Sequence, residues 1–348
     1  MTAVAASRAT GGVAAGRRRR ARRSRVAVGG LALLVLAAFA VALMVGDTVY
    51  RPDEVVRVIL GQTVPGASFT VGELRLPRAA EGLLAGAAFG LGGVTFQTML
   101  RNPLAAPDVI GISSGASAAA VIGIVVLDLT APETSLLAVV AALATAGVIT
   151  LLANRGGIAD TRLILIGIGV AAMLDSVVSY VLLRAANYDL QVVMRWLTGS
   201  LNNASWDQLG PLALALIVVA PLLASQSRGL GLLQHGDDQA AALGVPVQRV
   251  RLVCILAAVV LVAFATAATG PIAFVAFLAG PIAARIVGPG GPLLLPAALT
   301  GALLVLVADQ VGELAFGTRY PVGVITGVLG APFLLWLLVR TNRAGGSL

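Results

Sequence analysis

The chain has 348 residues, of which 58% are hydrophobic and 11% charged, and its mean hydropathy is +0.95. A soluble domain carries about 25% charged residues, so this composition excludes an ordinary soluble protein and indicates an integral membrane protein. The net charge is +8, and the excess comes from the arginines that precede the first acidic residue, Asp47: Arg8, Arg17, Arg18, Arg19, Arg20, Arg22, Arg23 and Arg25.

The residue types that carry most catalytic and metal chemistry are scarce. The chain has one cysteine, Cys254, one histidine, His235, and no lysine. An intrachain disulfide and a Cys/His metal cluster are therefore excluded, and both residues are predicted to be structural. A phosphate-binding Walker loop needs a lysine, so the chain is not predicted to bind ATP itself. No catalytic residue, metal ligand or cofactor is predicted in this chain.

The N-terminal segment is basic and then strongly apolar. Residues 1–25 combine small residues with the arginine run and are predicted to be a disordered cytoplasmic tail, and Val26 to Val45 is long enough to cross a bilayer. A signal peptide cleaved near Ala38-Phe39-Ala40 is the alternative, but its apolar run would exceed the usual length of about 7–15 residues. A basic tail beside a span fits contact with anionic membrane lipid, and nucleic acid is the less favoured partner.

Nine further apolar segments predict an all-α polytopic protein of about ten transmembrane helices. They are Arg78 to Leu100, Val109 to Leu127, Ser135 to Ala153, Leu163 to Leu183, Pro211 to Leu223, Arg251 to Ala268, Pro271 to Val287, Leu293 to Val311 and Pro321 to Val339. Ten spans after a cytoplasmic tail place both termini in the cytoplasm. The membrane domain is predicted over residues 26–341, followed by a short cytoplasmic tail, 342–348.

Two polar connections are predicted outside the membrane. Asp47 to Arg75 is amphipathic, with a short helix near Pro52 to Leu60. Arg184 to Leu209 contains Trp196 and Trp206, aromatic residues of the kind that lie at membrane interfaces.

The longest polar interruption in the C-terminal half, Leu232 to Arg251, lies in a predicted cytoplasmic loop of about residues 228–251. Asp237 follows Gly236, and an Asp side chain can accept hydrogen bonds from the first turn of a helix. Gly244 suits the left-handed position after a helix end, and Pro246 prevents the helix from continuing. These signals predict a capped helix of one to two turns, with a simple solvated turn as the alternative.

Three acidic residues fall within or near predicted spans. Glu81 is predicted to pair with Arg78 one turn away, whereas Asp175 has no obvious local partner and Asp309 is near enough to a span end to be solvated. Carboxylates within spans are expensive and are usually paired or functional. The second span also has a series of glycines that either permit close helix packing or line a wide pathway: Gly82, Gly86, Gly90, Gly92 and Gly93.

Several motifs occur in an order that resembles the iron-chelate and vitamin B12 uptake permeases, the membrane subunits of type II ABC importers. They are RLPR from Arg75, RNPLAAPDVIGISSGA from Arg101, WLTGSLNNASW from Trp196, GDDQAAALGVPVQRVRL from Gly236, TGPIAFVAF from Thr269 and YPVGVITGVLGAPFLLWLL from Tyr320. The resemblance covers about residues 26–341. Within the family, NRGGIADTRLILIGIGV from Asn154 and GSLN from Gly199 are similar to the second permease subunit of ferric-enterobactin systems.

This resemblance implies a type II ABC importer permease in a bacterial cytoplasmic membrane, carrying a ferric siderophore of the catecholate type inward. It implies a separate ATPase dimer that binds ATP and Mg, an extracytoplasmic siderophore-binding protein, and a homologous second permease in a heterodimer, with a homodimer as the alternative. The residues implied to couple to the ATPase are Gly236, Asp237, Asp238, Ala241, Leu243 and Gly244. Those implied to dock the binding protein are Arg75, Arg78 and Arg319.

The sequence departs from the family pattern at two places. Glu313 and Arg319 hold exchanged charges relative to many members, so either Arg319 or the partner permease supplies the docking charge. Residues 279–282 read Ala-Gly-Pro-Ile, without the histidine that relatives often have.

The sequence is compatible with two other classes of function. The main alternative is a proton-coupled secondary transporter of a small metabolite, with Asp175 as the candidate coupling group. An intramembrane enzyme would need a nucleophile with a base, or metal ligands, and it is disfavoured because the chain has a single cysteine and a single histidine, the latter in a predicted loop.

Overall fold

The computed structural model describes residues 2–107, 111–153, 160–288 and 292–343. Its helices are α1 (Thr2–Met44), α2 (Pro52–Ile59), α3 (Ala67–Phe69), which continues through a π-helical segment (Thr70–Arg75) into α4 (Leu76–Met99), α5 (Ile112–Val125), α6 (Ala131–Ala153), α7 (Asp160–Leu182), α8 (Asn187–Thr198), α9 (Trp206–Ser225), α10 (Ser227–Leu233), α11 (Asp237–Ala242), α12 (Val247–Thr269), α13 (Val275–Val287), α14 (Leu294–Leu314) and α15 (Val322–Arg343).

The predicted spans correspond to helices of the structure. Seven helical segments are long and apolar enough to cross a membrane, namely residues 18–44, residues 67–99, α6, α7, α9, α12 and α14. Three shorter apolar helices, α5, α13 and the first part of α15, coincide with the other three predicted spans. The prediction of an all-α protein with about ten spans is therefore confirmed.

Some predicted boundaries differ from the structure. The backbone is helical from Thr2, where the sequence predicts a disordered tail over residues 1–25; alanine and arginine are strong helix formers. The connection Arg184 to Leu209 contains α8, an additional amphipathic helix. At the C-terminus α15 reaches Arg343, and residues 344–348 of the predicted tail lie outside the described residues.

Helix α4 is the central helix of the bundle. It packs against α14, α12, α13 and α9, and 78% of its most apolar stretch is buried within the chain. The corresponding shares are 22% for α1 and 17% for α7, which places these two helices at the periphery. The core of the chain is therefore built around a glycine-rich helix.

The glycines of α4 allow backbones to touch. A Cβ atom at Gly86 would lie 2.5 Å from the carbonyl oxygen of Gly301 on α14, and one at Gly93 would overlap the carbonyl of Ala276 on α13. Small residues at such crossings let helices gain van der Waals contact that lipid cannot replace. All five glycines named above are buried, so the close-packing interpretation is confirmed and the pathway-lining interpretation is wrong for them.

The bundle has two polar ends, which we call the α11 face and the α2 face. At the α11 face, Arg101 after α4 approaches Gly236 before α11, and Arg23 on α1 lies against Gly288 at the end of α13. At the α2 face, the N–H of Ser200 donates to the carbonyl of Thr269 at the end of α12, at 2.7 Å. The residues predicted to act in coupling and in docking therefore lie at opposite ends of the bundle.

Candidate docking sites at the two faces

Helix α11 forms where the sequence predicts a short helix. It begins at Asp237 after Gly236, whose φ of +109° is a conformation that favours glycine. It ends at Ala242, and Gly244 follows with φ +83°, in the left-handed conformation predicted for this position. The N–H of Val245 donates to the carbonyl of Ala240 at 3.0 Å. The predicted helix and its glycine stop are confirmed.

The predicted role of Asp237 as the helix cap is wrong. Its side chain makes no capping hydrogen bond, and it accepts instead from Nη2 of Arg251 at 3.2 and 3.3 Å. The side chain of Arg251 is 3% exposed, and that of Asp237 is 39% exposed. The long guanidinium fork of Arg251 reaches the carboxylate from α12, so the pair fixes α11 against the start of α12.

One face of α11 is buried and the other is open. Ala240 is fully buried and packs within the main hydrophobic core. Asp238, Ala241, Leu243 and Gly244 are exposed, and Leu243 is 67% exposed. A large apolar side chain presented beside small residues on a rigidly held turn is suited to contact another protein.

At the α2 face, Arg75 is held by its own chain. Its Nη1 donates to the carbonyl of Leu43 at 3.1 Å, and its Nη2 donates to the carbonyl of Thr48 at 2.7 Å. The guanidinium also lies over the ring of Tyr50, at 5.2 Å from its centroid. A side-chain hydrogen bond with Thr48 lowers the pKa of the Tyr50 phenol. Arg75 therefore ties the end of α1 to the π-helical segment.

Arg78 forms a buried two-pronged ion pair with Asp309 on α14. Its Nε and Nη2 donate to the two carboxylate oxygens, each at 2.8 Å, and its Nη1 donates to Oδ1 of Asn202 at 2.9 Å. The side chains of Arg78 and Asp309 are 14% and 6% exposed. The prediction that Asp309 is solvated is wrong. In this structure the Arg78 guanidinium is directed into the protein.

Arg319 is the most exposed of the three arginines predicted to dock a binding protein. Its side chain is 51% exposed and pairs with Glu313, which is 10% exposed, and with Asp47 at 3.7 Å. Glu313 also lies 3.9 Å from Nη2 of Arg78. The exchanged charges of Glu313 and Arg319 thus pair with each other and extend the Arg78–Asp309 pair toward the surface.

Glu81 is not the partner of Arg78 that the sequence predicts. Its side chain is fully buried. The backbone N–H of Ser205 interacts with the carboxylate, but among the described residues neither oxygen accepts a hydrogen bond of ordinary geometry. Arg78 lies one turn before it but is directed toward α14. A buried carboxylate without a partner is costly in a protein interior.

Asp175 lies on the outward face of α7. It is exposed in the single chain, beside Met173, which is 70% exposed. A carboxylate within a span is unfavourable against lipid. This face of α7 is therefore suited to contact with another subunit or with water.

The sequence missed three functional partners: Arg251 for Asp237, and Asp309 and Asn202 for Arg78. Arg251 lies in the same polar stretch as Asp237, fourteen residues later. Its positive charge and its closeness in sequence could have indicated that it pairs with Asp237. Asp309 is 231 residues from Arg78, and the packing of α4 on α14 that brings them together is not visible in local patterns.

Comparison with known proteins agrees with this architecture. The FecCD transport family matches residues 33–340. The ferric enterobactin transport system permease protein FepG of Escherichia coli (strain K12) is 41% identical over 89% of this chain and 96% of its own length. The achromobactin transport system permease protein CbrC of Dickeya dadantii is 39% identical over 89% of this chain and 90% of its own length.

A solved structure supports the same conclusion. It is a metal-chelate type ABC transporter in an inward-facing conformation, which superposes with a TM-score of 0.81 at 26% identity and covers 90% of this chain and 98% of its own. The type II ABC importer permease fold expected from the sequence is thereby confirmed. The resemblance to the iron-chelate and vitamin B12 uptake permeases is also confirmed, and the chain belongs to the FecCD transport family.

Proposed function

We propose that this chain is the membrane-spanning permease subunit of an ABC importer that carries a ferric siderophore of the catecholate type into a bacterial cell. Similarity to the ferric enterobactin and achromobactin permeases supports the substrate class. ATP and Mg are bound by a separate ATPase dimer, and this chain supplies the passage and the coupling surfaces. Both termini and the α11 face lie in the cytoplasm, and the α2 face lies outside.

The observation that carries the coupling role is the exposed turn of α11. Leu243 and Ala241 face away from the protein, whereas Ala240 and the Asp237–Arg251 pair hold the element to α12. An element that is open on one side and fixed on the other can receive a push and pass it to a span as a rigid-body shift. Gly236 and Gly244 give the backbone turns that define its two ends.

At the α2 face, the proposal assigns contact with an extracytoplasmic siderophore-binding protein chiefly to Arg319. Arg75 and Arg78 support that surface from within, because their guanidinium groups are already bound by this chain. A carboxylate on the binding protein can pair with the half-exposed Arg319 by charge-assisted hydrogen bonds.

A second, homologous permease subunit completes the proposed importer. The outward face of α7 supports this part of the proposal, because it combines large exposed apolar side chains with Asp175. Such a face is unfavourable against lipid alone. A heterodimer is favoured by the similarity to the ferric enterobactin permease, and a homodimer is the other outcome.

The test is ATPase activity of the purified complex together with uptake of radiolabelled ferric siderophore in cells. Leu243→Arg should release the ATPase from the complex and stop uptake, because a charge replaces the apolar contact. Gln248→Arg is the matched control, since it adds the same charge at an exposed position in the first turn of α12, five residues after Leu243, and should leave both measurements unchanged. Ferric catecholate, hydroxamate and citrate complexes compared as competitors test the substrate class.

One observation keeps a proton-coupled carrier as a second candidate, namely the exposed carboxylate of Asp175 on α7. If uptake persists without any associated ATPase but is lost with Asp175→Asn or with an uncoupler, the protein is a proton-coupled carrier and the importer proposal is wrong. Uptake that survives Asp175→Asn and requires the ATPase supports the importer.

A further inference from the structure

We infer that Arg19, Arg22 and Arg23 of α1, together with α13, form a binding site for the headgroup of an anionic phospholipid at the α11 face. The three arginines line an open groove of ≈ 430 Å³, whose remaining lining is apolar: Val26, Ala27 and Ile286. The groove thus has a cationic half that suits a phosphate group and an apolar half that suits the glycerol and the start of an acyl chain.

The helical register explains why these three arginines share one side. Positions 19, 22, 23, 26 and 27 follow the three- and four-residue spacing of a single helix face. Arg18, Arg20 and Arg25 belong to the same basic run but do not line the groove. The segment therefore has a defined cationic stripe within a longer cationic tail, and this stripe meets the apolar span at Val26.

The groove lies at headgroup depth. The apolar run of α1 begins at Val26, so the three guanidinium groups stand within the two turns before the hydrocarbon region. The guanidinium of Arg23 lies against Gly288, where a Cβ atom would be 2.7 Å from its Cζ. Gly288 follows the last turn of α13, and cations are favoured at a helix C-terminus. This contact holds α1 and α13 together as the two walls of the groove.

The positive charge of the groove has no acidic counterpart nearby on the packed helices. Helix α1 packs mainly against α14, α4 and α13. It also contacts the π-helical segment and α2, whose acidic residues Glu73, Asp53 and Glu54 lie at the α2 face. Helix α13 has no acidic residue in its sequence, and those of α4 and α14 are Glu81, Asp309 and Glu313, all at the α2 face. Within the described part of the chain, the structure shows no ion pair for Arg19, Arg22 or Arg23. None of the described residues therefore supplies the complementary anion, and the inference assigns that place to a lipid headgroup.

The basic stripe precedes the family match, which begins at residue 33. The other wall of the groove, with Ile286 on α13, lies within the family match. The inference needs only a chain that spans a membrane, so it does not rest on the proposed function. A membrane-spanning chain has phospholipid at this depth at all times, and a juxtamembrane arginine contributes about 1 kcal/mol toward an anionic surface.

The inference can be tested by native mass spectrometry of the full-length protein in its detergent-purified complex. Phosphatidylglycerol and phosphatidylcholine with the same acyl chains are titrated separately, and glycerol phosphate is added as a competitor that lacks acyl chains. The wild type should bind phosphatidylglycerol at least about tenfold more tightly than phosphatidylcholine. Glycerol phosphate should compete only weakly, because it cannot fill the apolar half.

Two sets of substitutions separate a defined site from diffuse attraction. The triple change Arg19→Gln/Arg22→Gln/Arg23→Gln should weaken phosphatidylglycerol binding at least about tenfold. The control Arg18→Gln/Arg20→Gln/Arg25→Gln removes equal charge from the same segment and should weaken it less than about threefold. Ala27→Trp keeps all the arginines but fills the apolar half, and should also weaken binding.

Three results would overturn the inference. Equal losses in the two triple variants would show diffuse attraction of a polybasic segment. Equal binding of the two lipids would show an apolar surface without headgroup recognition. Full competition by glycerol phosphate would show a site for free phosphate rather than for lipid.

Discussion

Nη2 of Arg251 lies 3.2 Å from the carboxylate of Asp237, and this pair joins the exposed helix α11 to the first turns of α12. Arg251 is almost fully buried while Asp237 is partly open, so the contact is neither a free surface pair nor a fully desolvated one. Under the proposed function α11 needs such a fixed base, because a loosely attached helix would move by itself and would not transmit the motion of the ATPase to α12.

Asp237→Asn should therefore loosen α11 without unfolding the protein. The loss of a charge-assisted pair is worth about 1–2 kcal/mol, which corresponds to roughly 5–30-fold faster local opening. Hydrogen–deuterium exchange of residues 237–245 in the purified complex measures this. Asp238→Asn is the control, since Asp238 is exposed and should change exchange less than about twofold. Equal effects of both substitutions would show that the Arg251 contact does not hold the helix.

Removing one member of the Arg78–Asp309 pair should destabilise the protein much more than replacing both members by apolar residues. Breaking a buried pair by removing one partner leaves an uncompensated charge and is expected to destabilise by about 3–5 kcal/mol. Arg78→Ala and Asp309→Ala should each lower the thermal midpoint of the purified protein. The double change Arg78→Leu/Asp309→Leu should recover most of the loss, because neither charge of this pair is then left without the other.

The exposed pair of Arg57 and Asp53, at 3.6 Å, provides the control for that comparison. Arg57→Ala should shift the midpoint little, since exposed pairs contribute about 0–1 kcal/mol. A double variant less stable than both single variants would contradict the account, and would show that the pair is itself a net source of stability.

Removing the charge of Glu81 should stabilise the protein, in contrast to removing one charge of the Arg78–Asp309 pair. The buried carboxylate of Glu81 has no hydrogen-bond partner of ordinary geometry among the described residues. Glu81→Gln keeps the size and removes the charge, and should raise the thermal midpoint by about 2–4 °C, equivalent to roughly 1 kcal/mol. Thermal unfolding followed by tryptophan fluorescence measures this. A lower midpoint would instead restore the sequence-based interpretation, in which Glu81 is the partner of Arg78.

The contrast between Glu81 and Asp309 shows how far the sequence could predict this site. Local spacing predicted that the carboxylate of Glu81 pairs with Arg78 one turn away, and this pairing is wrong because Arg78 binds Asp309. The actual partner is on α14, because the glycines of α4 allow the backbone near Gly86 to contact that of Gly301. Local periodicity predicts each helix, but it does not predict which helix becomes its closest neighbour.

The prediction of α11 succeeded for a related reason. Its limits are set by Gly236 and Gly244, whose positive φ angles are properties of single residues, and such signals can be read from a short stretch. The role given to Asp237 failed because Arg251 competes with the helix N-terminus for the same carboxylate. Sequence reasoning therefore located the element and misjudged the contact that holds it.

Under the proposed function, Arg319 should make the largest contribution of the three arginines to binding-protein affinity. Its side chain is half exposed, whereas those of Arg75 and Arg78 are held by internal contacts. Arg319→Gln should weaken binding about threefold to fivefold, since an exposed pair is worth up to ~1 kcal/mol. Surface plasmon resonance with the siderophore-loaded binding protein measures this. Arg57→Gln, which is similarly exposed at 49%, is the matched control.

Asp47 provides a second test of the role of Arg319, because its carboxylate would compete with a carboxylate of the binding protein for the same guanidinium. It is 91% exposed and lies 3.7 Å from Nη2 of Arg319, so a docking carboxylate must displace it or share the arginine with it. Asp47→Asn should therefore strengthen binding about twofold to threefold at low salt, and this gain should shrink as salt screens the charges. A loss of affinity in Asp47→Asn would mean that the acid itself contacts the binding protein. The docking charge would then have the sign opposite to that proposed for Arg319.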